Sequence, residues 1–522
     1  MIAYRISAEG PSLVIQTSAG HSYRAGDLET ALDILHAESR ERCLRVFWDL
    51  DQSVALILKW LPRVTLKELF GYQRCRIGRY TIIYNYKKNF ALFVGSQTNG
   101  VTFYHLAQYY DQAEPVELRD VVRLGEELLA ELSSIGVKPS SLSSGIAIMD
   151  ERYDPLPLPT WEDIPDDVGE FAWLTSHKQW TEAHQLGHWP VAYDYDISAA
   201  YPSAYADLMD TRYGKWVSGT ERPKEAQYGF LYGRANITAH VSPVIFTDAA
   251  GHLYSPHGSW KTYITAGKLD CLTRWNIGTF ETEEAWWWVP TKDVRPLRII
   301  TGWLYKQRGR SPLLNRVVKL GMNGLYGKML QVFPDGEFGK RFNPVWGALT
   351  EDAIQCAVCD FIYQNNLQND VICISTDGVL SAKQAQAGGQ KRMGEWIEDS
   401  RGPALIVSSS TVFFGKKRPH MLTYHDALAC IKSAPAASEW HRPVVRRMTL
   451  GDMLQGTGEI GQMREVETGF KLKTVRKEHD RLFGELPQTG RELLDCGPFT
   501  STPLNARRLK NGIVVNREQE SL

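Results

Sequence analysis

Three short segments in a fixed order constrain this chain more than any other feature. Residues 196–203 read DISAAYPS, residues 319–327 read KLGMNGLYG, and residues 374–378 read ISTDG. They place a carboxylate after a predicted strand, a cation on a predicted helix and a second carboxylate in a predicted hairpin turn. Their order and spacing carry more information than any one segment, because chance rarely produces all three in one chain.

The two aspartates of these segments follow predicted strands. Asp196 follows the strand-like run PVAYDY, and Asp377 follows VICI and precedes Gly378, which predicts a strand–turn–strand with glycine at the tight position. If the strands are neighbours, the two carboxylates can hold divalent metal ions about 4 Å apart, which stabilises the attacking and leaving oxygens of phosphoryl transfer. Taken alone, each aspartate is more typical of a turn or a helix cap.

The middle segment lies in a predicted helix or helical hairpin over residues 297–330. Lys319 and Asn323 are four residues apart and therefore share one helix face. A lysine there can neutralise a triphosphate, while Tyr326 and the glycine after it let a base pair approach closely. Residues 295–319 carry seven basic side chains and no acidic one, which suits phosphate binding. A solvated helix face explains the same charges equally well.

Length and composition exclude several classes of protein. A chain of 522 residues is too long for one core and predicts two to four domains. We expect a soluble, cytoplasmic protein, because no apolar stretch is long enough for a membrane span and the first residues lack a signal-peptide layout. The eight cysteines form no disulfide framework. Cys356 and Cys359 make a lone CxxC in a predicted buried helix, which favours core thiols over a zinc site.

Residues 1–150 have the pattern of one α/β unit. Strand-like runs occur at 44–48, 79–86, 91–94 and 101–104, and helical periodicity occurs at 27–38 and 120–135. The acidic, proline-rich stretch 153–168 predicts a linker. Beyond residue 400 the pattern becomes irregular, with a glycine-rich stretch at 451–461 and a polar tail after Asn511.

Together the three segments resemble the palm and fingers motifs of family B DNA polymerases. The first matches D-x-x-S-L-Y-P-S with Ala200 for leucine, and the second matches K-x-x-x-N-S-x-Y-G with Gly324 for serine. The third matches D-T-D-G with Ser375 for the first aspartate. Residues 180–188 (WTEAHQLGH) stand where the family has its Y-x-G-G/A linker motif. The resemblance spans residues 40–425 and points to the viral, phage and linear-plasmid branch, many of whose members are protein-primed.

The resemblance implies a role for each matching residue. Asp196 and Asp377, with the backbone carbonyl of Ile197, would be the ligands of two Mg²⁺ ions, with Mn²⁺ as an alternative. Tyr201 would lie beneath the sugar of the incoming nucleotide, and Lys319 would bind its phosphates. The other matches are the substrate-binding residues Asn323, Tyr326, Arg308 and Lys306 and the DNA-binding residues Lys416, Lys417 and Arg418. Because Ser375 cannot donate a carboxylate, we expect weaker metal binding without loss of activity.

The N-terminal unit resembles the 3′–5′ exonuclease domain of the same branch. Asp49 and Asp51 match its D-x-E pair, and Asp120 matches its third element. These are three of about four carboxylates that two-metal proofreading needs. His105 stands in place of the remaining aspartate, and a neutral imidazole is a poor ligand for Mg²⁺. The resemblance therefore implies a degenerate exonuclease whose fold persists to guide a single strand.

The fold class that follows is a multidomain α/β and α+β protein, with an RNase H-like exonuclease-type domain before a right-hand polymerase. The predicted order is an exonuclease-type domain over 1–150, a linker and start of the palm over 151–190, palm with an insertion over 191–296, fingers helices over 297–330, palm over 331–425, and a small thumb with a tail over 426–522.

We therefore predict a template-directed DNA polymerase of phage, viral or plasmid replication, with weak or absent proofreading. Its partners would be a DNA template, a primer and dNTPs. The stretch between Asp196 and Lys319 leaves room for an insertion that holds a terminal priming protein. Two alternatives stay open: a catalytically impaired homologue that binds DNA in replication or defence, and an RNase H-like nuclease whose chemistry lies in residues 40–135.

Overall fold

The computed structural model describes most of the chain. The described residues are 1–37, 43–85, 89–95, 99–136, 158–176, 180–247, 253–333, 336–388, 391–408, 411–415, 417, 419–448, 452, 463–472, 489–495 and 499–500. Two compact units make up the chain. The first comprises Met1–Pro157, Trp303–Gly339 and Val445–Val466, and the second comprises Leu158–Gly302, Lys340–Val444 and Glu467–Leu522.

The regular elements of the described residues are numbered in chain order. The strands are β1 (Ile2–Glu9), β2 (Ser12–Thr17), β3 (Ser22–Ala25), β4 (Arg45–Phe47), β5 (Arg74–Ile77), β6 (Tyr80–Asn85), β7 (Asn89–Val94), β8 (Gly100–His105), β9 (Thr181–Ala183), β10 (Gln185–Ile197), β11 (Gly214–Ser218), β12 (Tyr228–Ile237), β13 (Phe246–Thr247), β14 (Leu253–Tyr254), β15 (Gly258–Thr265), β16 (Gly278–Pro290), β17 (Val371–Ser375), β18 (Gly378–Ser381), β19 (Trp396–Ser408), β20 (Thr411–Phe414), β21 (Glu439–Arg447), β22 (Met463–Lys471) and β23 (Phe499–Thr500). The α-helices are α1 (Leu28–Ala37), α2 (Leu50–Leu58), α3 (Arg63–Tyr72), α4 (Leu118–Ser134), α5 (Asp166–Thr175), α6 (Ala200–Ala206), α7 (Ala266–Trp275), α8 (Arg298–Gln307), α9 (Pro312–Met329), α10 (Pro344–Gln364), α11 (Tyr424–Ser433) and α12 (Gly490–Asp495).

An eight-stranded sheet forms the core of the first unit, in the order β3-β2-β1-β4-β8-β7-β6-β5. Strand β4 runs parallel to both β1 and β8. The four strands predicted in this region are confirmed as β4, β6, β7 and β8, and the two predicted helices as α1 and α4. Helix α4 buries Val121, Leu124, Leu128 and Leu132, which is the apolar face that the periodicity predicted.

Two consecutive helices, α8 and α9, confirm the helical prediction over residues 297–330. Ser311 caps α9 by accepting a hydrogen bond from the Leu314 N–H, and proline follows at the first helical position. The buried face of α9 includes Leu313 and Val317, whereas 43% of Leu320 is exposed to solvent. In the first unit α9 packs against α4.

The second unit is built on a seven-stranded sheet. Its main path is β20-β19-β10-β18-β17-β9, and β23 also pairs with β10. Strands from residues 214–290 form a separate four-stranded sheet in the order β11-β16-β12-β15. This sheet occupies the stretch in which an insertion was predicted, and Trp287 and Trp288 are buried in it.

Helix α10 lies behind the seven-stranded sheet. Asn343 caps it by accepting a hydrogen bond from the Trp346 N–H. The core on this side joins α10 to the central strands through Ile354, Val358, Phe361, Ile362, Trp180, Tyr195, Ile197, Ile374 and Val379. The CxxC pair lies in α10, as predicted, and Cys359 is fully buried.

None of the described helices combines the length and apolar character that a membrane crossing needs. Several sequence features lie outside the described residues. They are Lys416, Arg418, most of the glycine-rich stretch 451–461 and the tail after Asn511.

We expect the Phe361→Ala variant to lose about 3–5 kcal/mol of unfolding free energy, because truncating a buried aromatic ring leaves a cavity. The Phe361 ring is 3% exposed and stacks on Trp396 with 4.0 Å between ring centroids. Urea denaturation would measure the loss. Gln364→Ala, at an exposed position of the same helix, is the control and should change stability by less than about 0.5 kcal/mol. A loss below about 1 kcal/mol at Phe361 would contradict this packing.

Candidate active site

The seven-stranded sheet brings Asp196 and Asp377 together. Strand β10 pairs antiparallel with β18, and Asp196 lies directly opposite Gly378. The backbone N–H of Ile197 donates to the carbonyl oxygen of Asp377 at 3.2 Å. The strands that carry the two aspartates are therefore neighbours, which is the condition on which the predicted metal pair depended.

The turn before Gly378 is strained. Strands β17 and β18 are joined by a two-residue loop, and its first residue, Thr376, has φ of 63°. A β-branched side chain rarely adopts this left-handed conformation. The prediction that glycine occupies the tight position is wrong in this respect, because Thr376 takes the left-handed position. The Thr376 N–H donates to the Trp180 carbonyl at 2.7 Å, which helps to hold the turn.

Gly378 has a different role, because its lack of a side chain lets strand β10 approach closely. A Cβ atom at this position would lie 3.2 Å from the carbonyl oxygen of Tyr195 and 3.7 Å from Oδ1 of Asp196. The Asp196 carboxylate thus reaches over a position that carries no side chain. A carboxylate oxygen beside such a gap, as at Asp196, is the kind of ligand that Mg²⁺ and Mn²⁺ prefer. The residues present therefore fit a divalent cation.

Ser375 lies in the same cross-strand row as Asp196. Gly378 is opposite Asp196 on one side and opposite Ser375 on the other, so all three positions face the same side of the sheet. Ser375 is exposed. The row confirms that this position faces the gap, and its hydroxyl supplies no negative charge there.

The chain turns sharply after Asp196. Ala199 has φ of 53° and ψ of 53°, a left-handed conformation, and α6 begins at the next residue. Tyr201 is half-buried and packs against the core cluster behind the sheet, while Pro202 lies in the first helical turn. A backbone bond from the Ser198 N–H to the Glu395 carbonyl, at 2.9 Å, ties this turn to the segment before β19.

Two charged side chains, Lys417 and Asp399, act on Asp194 in the second unit. Burial raises the pKa of Asp194, which lies two residues before Asp196 on β10. The nearby Lys417 ammonium opposes this shift in the pKa of Asp194, and Asp399 adds to it. Lys417 is exposed, and it is the one member of the predicted DNA-binding trio that lies within the described residues.

In the first unit, the end of α8 and helix α9 carry the other predicted substrate-binding residues. Lys319 and Asn323 lie on the exposed face of α9, and Tyr326 is half-buried one turn further on. Lys306 is exposed near the end of α8. Arg308 follows α8, and its Nε donates to Oδ1 of Asn315 at 2.8 Å. Burial lowers the pKa of Arg308.

The first unit also contains a compact Asp49–Asp51–His105 group. One ligand atom from each of these residues lies within 4.8 Å of the others. The group forms because β4 pairs with β8, with Phe47 opposite His105, and because Asp49 caps α2 by accepting a hydrogen bond from the Gln52 N–H at 3.0 Å. Asp120 is not a member. It lies in the first turn of α4, 3.7 Å from Arg123.

Two hydrogen bonds define the chemistry of this group. Nδ1 of His105 accepts from the Leu50 N–H at 3.0 Å. In a neutral ring the proton is then on Nε2, and a protonated nitrogen cannot bind a metal ion. The Tyr84 hydroxyl donates to Oδ1 of Asp51 at 2.5 Å. The sequence did not predict the role of Tyr84, because its contact depends on the pairing of distant strands.

The fold is that of phi29 DNA polymerase. The structure of that enzyme with primer-template DNA and incoming nucleotides matches with a TM-score of 0.59 at 11% sequence identity, over 90% of this chain and 99% of that chain. Its complex with single-stranded DNA matches with a TM-score of 0.55 at 12% identity and the same coverage. Neither a protein-family model nor a curated protein sequence matches this chain. The likeness confirms the predicted resemblance at the level of the fold, including the predicted fold class.

We expect Gly378→Ala to weaken divalent-cation binding by about tenfold or more, because the added methyl group occupies the gap beside Asp196. Mn²⁺ binding measured by electron paramagnetic resonance would test this, with Asp196→Asn as the reference for binding elsewhere. Gly402→Ala is the matched control, since a Cβ there meets no atom within 4 Å and the residue lies on β19 of the same sheet. Equal Mn²⁺ affinity in the two alanine variants would contradict a site over Gly378.

Proposed function

We propose that this chain is a template-directed DNA polymerase that adds dNTPs to a 3′-hydroxyl by two-metal phosphoryl transfer. The observation that carries the proposal is the pairing of β10 with β18, which sets Asp196 beside the turn that holds Asp377. The shared fold with phi29 DNA polymerase supports the same conclusion. The alternative of a catalytically impaired homologue agrees less well with the structure. The two aspartates that two-metal phosphoryl transfer needs are both present, and Asp196 lies beside the turn that holds Asp377.

Different residues of the chain would have different roles in this reaction. Asp196, Asp377 and the Ile197 carbonyl would hold two Mg²⁺ ions, with Mn²⁺ as an alternative. When bound, such ions offset the charge that develops on the transferring phosphate. Lys319 would add a positive charge at the nucleotide phosphates, assisted by Arg308 or Lys306 and with Asn323 and Tyr326 lining the pocket.

Tyr201 has the properties of a residue that selects the sugar. Its ring packs on the core cluster behind the sheet, and it follows the strand that ends at Ile197 by one short turn. Packing of this kind leaves the ring little freedom to move. A ring held in place near the metal ligands would exclude a ribose 2′-hydroxyl by contact.

The substrates follow from the same comparison. The matched phi29 structures hold primer-template DNA, incoming nucleotides or single-stranded DNA. We propose the same ligands for this chain, with Lys417 and its neighbours at the primer end. Priming by a terminal protein, and a role in phage, viral or plasmid replication in the host cytoplasm, are parts of the same proposal.

Asp377→Asn should lower the rate of dNTP incorporation on a primed DNA template by about 10²–10³-fold or more, because it removes a charge that acts on the reacting phosphate. Asp399→Asn makes the same change at an exposed position of the same sheet and should retain activity within about threefold. Gel-based primer extension with and without an oligonucleotide primer measures both variants and the priming mode. DNA binding by the wild type without incorporation would instead favour the impaired homologue.

Proofreading should be absent, because Nδ1 of His105 accepts from the Leu50 N–H and the group contains two carboxylates where two-metal proofreading needs about four. The proton on Nε2 of His105 would stand where the fourth carboxylate of an exonuclease binds its metal. The persistent sheet of the first unit would then serve only to guide a single strand.

We expect the wild type and the Asp49→Ala variant to release nucleotides from a 3′ single strand at the same background rate, in Mg²⁺ and in Mn²⁺. A radiolabelled oligonucleotide would detect the release. Thr30→Ala, a substitution in α1 of the same unit, serves as the control for preparation-dependent nuclease contamination. Degradation that Asp49→Ala abolishes and Thr30→Ala does not would show a working exonuclease, or the RNase H-like nuclease of the alternative reading.

A further inference from the structure

Strand β9 holds the outer edge of the hairpin that carries Asp377. Thr181 pairs with Ser375, and Glu182 pairs with Ile374, so β9 extends up to the strained turn. Just before β9, the carbonyl oxygen of Trp180 accepts the Thr376 N–H at 2.7 Å. This bond acts directly on the residue with a φ of 63°. Its geometry therefore depends on where Trp180 is held.

Trp180 is held by its side chain. The indole Nε1–H donates to Oε2 of Glu182 at 2.8 Å, and the two residues are only 1% and 3% exposed. The indole ring also packs in the core cluster with Tyr195 and Ile374, which flank the aspartate pair on the buried side of the sheet. A buried hydrogen bond fixes the ring more firmly than packing alone.

The burial of Glu182 makes this bond important. His184 lies 3.7 Å from the same carboxyl oxygen. Burial lowers the pKa of His184 to about 4, so its ring is neutral at neutral pH. The imidazole therefore supplies no positive charge to Glu182, and losing the Trp180 N–H removes a hydrogen bond from a buried carboxyl oxygen, which is costly.

We infer that Trp180 and Glu182 are positioning residues that keep Thr376 in its left-handed conformation, so that the Asp377 carboxylate stays beside Asp196. The inference rests on the proposed function, since it assigns these residues to the metal site of the polymerase. Removing the Trp180–Glu182 bond frees the Trp180 carbonyl to move. The turn then relaxes to a conformation that a β-branched residue prefers, and Asp377 leaves its place.

The test compares Mn²⁺ affinity and the Mg²⁺ dependence of incorporation in full-length variants. Glu182→Leu should weaken Mn²⁺ binding about tenfold and raise the half-saturating Mg²⁺ concentration to a similar extent. Trp180→Phe keeps a ring but removes the N–H donor, and it should also weaken Mn²⁺ binding. It provides the test if Glu182→Leu does not fold. Glu182→Gln keeps an acceptor oxygen and should recover most of the affinity.

A second substitution separates positioning from general support of the fold. Glycine adopts positive φ without strain, so Thr376→Gly added to Glu182→Leu should return Mn²⁺ affinity to within about threefold of wild type. Glu351→Leu is the matched control. Glu351 is another buried carboxylate of this unit, it accepts from Ser176 Oγ at 3.0 Å, and its loss should leave Mn²⁺ affinity at the wild-type value.

Three results would overturn the inference: unchanged Mn²⁺ affinity in both folded single variants, a loss that Thr376→Gly does not restore, or an equal loss in Glu351→Leu. Mn²⁺ binding is measured without nucleotide or DNA, so it does not depend on polymerase activity. A wild type that binds Mn²⁺ through Asp196 but incorporates no dNTP would contradict the proposed function alone.

Discussion

The pairing of β10 with β18 is the interaction on which the site depends. Side chains alternate between the two faces of a sheet, so a slip of one residue would turn Asp196 away from Gly378. The buried face fixes the register, because Tyr195 and Val379 lie opposite each other and both pack toward α10. The apolar residues that stabilise the sheet thus also determine which side the carboxylates face.

Two non-glycine residues with positive φ flank the aspartate pair, Ala199 after Asp196 and Thr376 before Asp377. Each such conformation costs about 1–3 kcal/mol and persists only where its surroundings require it. Backbone hydrogen bonds hold both conformations. The Ser198 N–H donates to the Glu395 carbonyl on one side, and the Thr376 N–H donates to the Trp180 carbonyl on the other. The strained residues therefore lie beside Asp196 and Asp377, and hydrogen bonds to the neighbouring backbone hold them in these conformations.

Local patterns predicted much of this structure. Helix periodicity predicted α4 and the helical stretch of α8 and α9, and strand-like runs predicted β4, β6, β7 and β8, because each signal lies within a few consecutive residues. The pairing of distant segments could not be predicted in the same way. The sequence contains Trp180 and Glu182 close to β10, yet their contact with the turn at Thr376 arises from a strand pairing that spans nearly two hundred residues.

The glycine of the third segment shows a second limit of prediction. Glycine beside a turn normally indicates positive φ, and that rule predicted the tight position at Gly378. The structure instead uses this glycine to admit the Asp196 carboxylate, and the left-handed position goes to Thr376. Close approach and positive φ both select glycine, so the residue type alone cannot distinguish them.

The two aspartate groups of this chain differ in the residue that completes them. Asp49 and Asp51 are close together in sequence, and an imidazole whose Nδ1 accepts from the Leu50 N–H completes their group. Asp196 and Asp377 come from distant segments, and Gly378, which lies opposite Asp196, carries no side chain. A cation needs both negative oxygens and unfilled space. The preference for Asp196 and Asp377 as the proposed catalytic metal ligands therefore rests on the third residue, a histidine in one group and a glycine in the other.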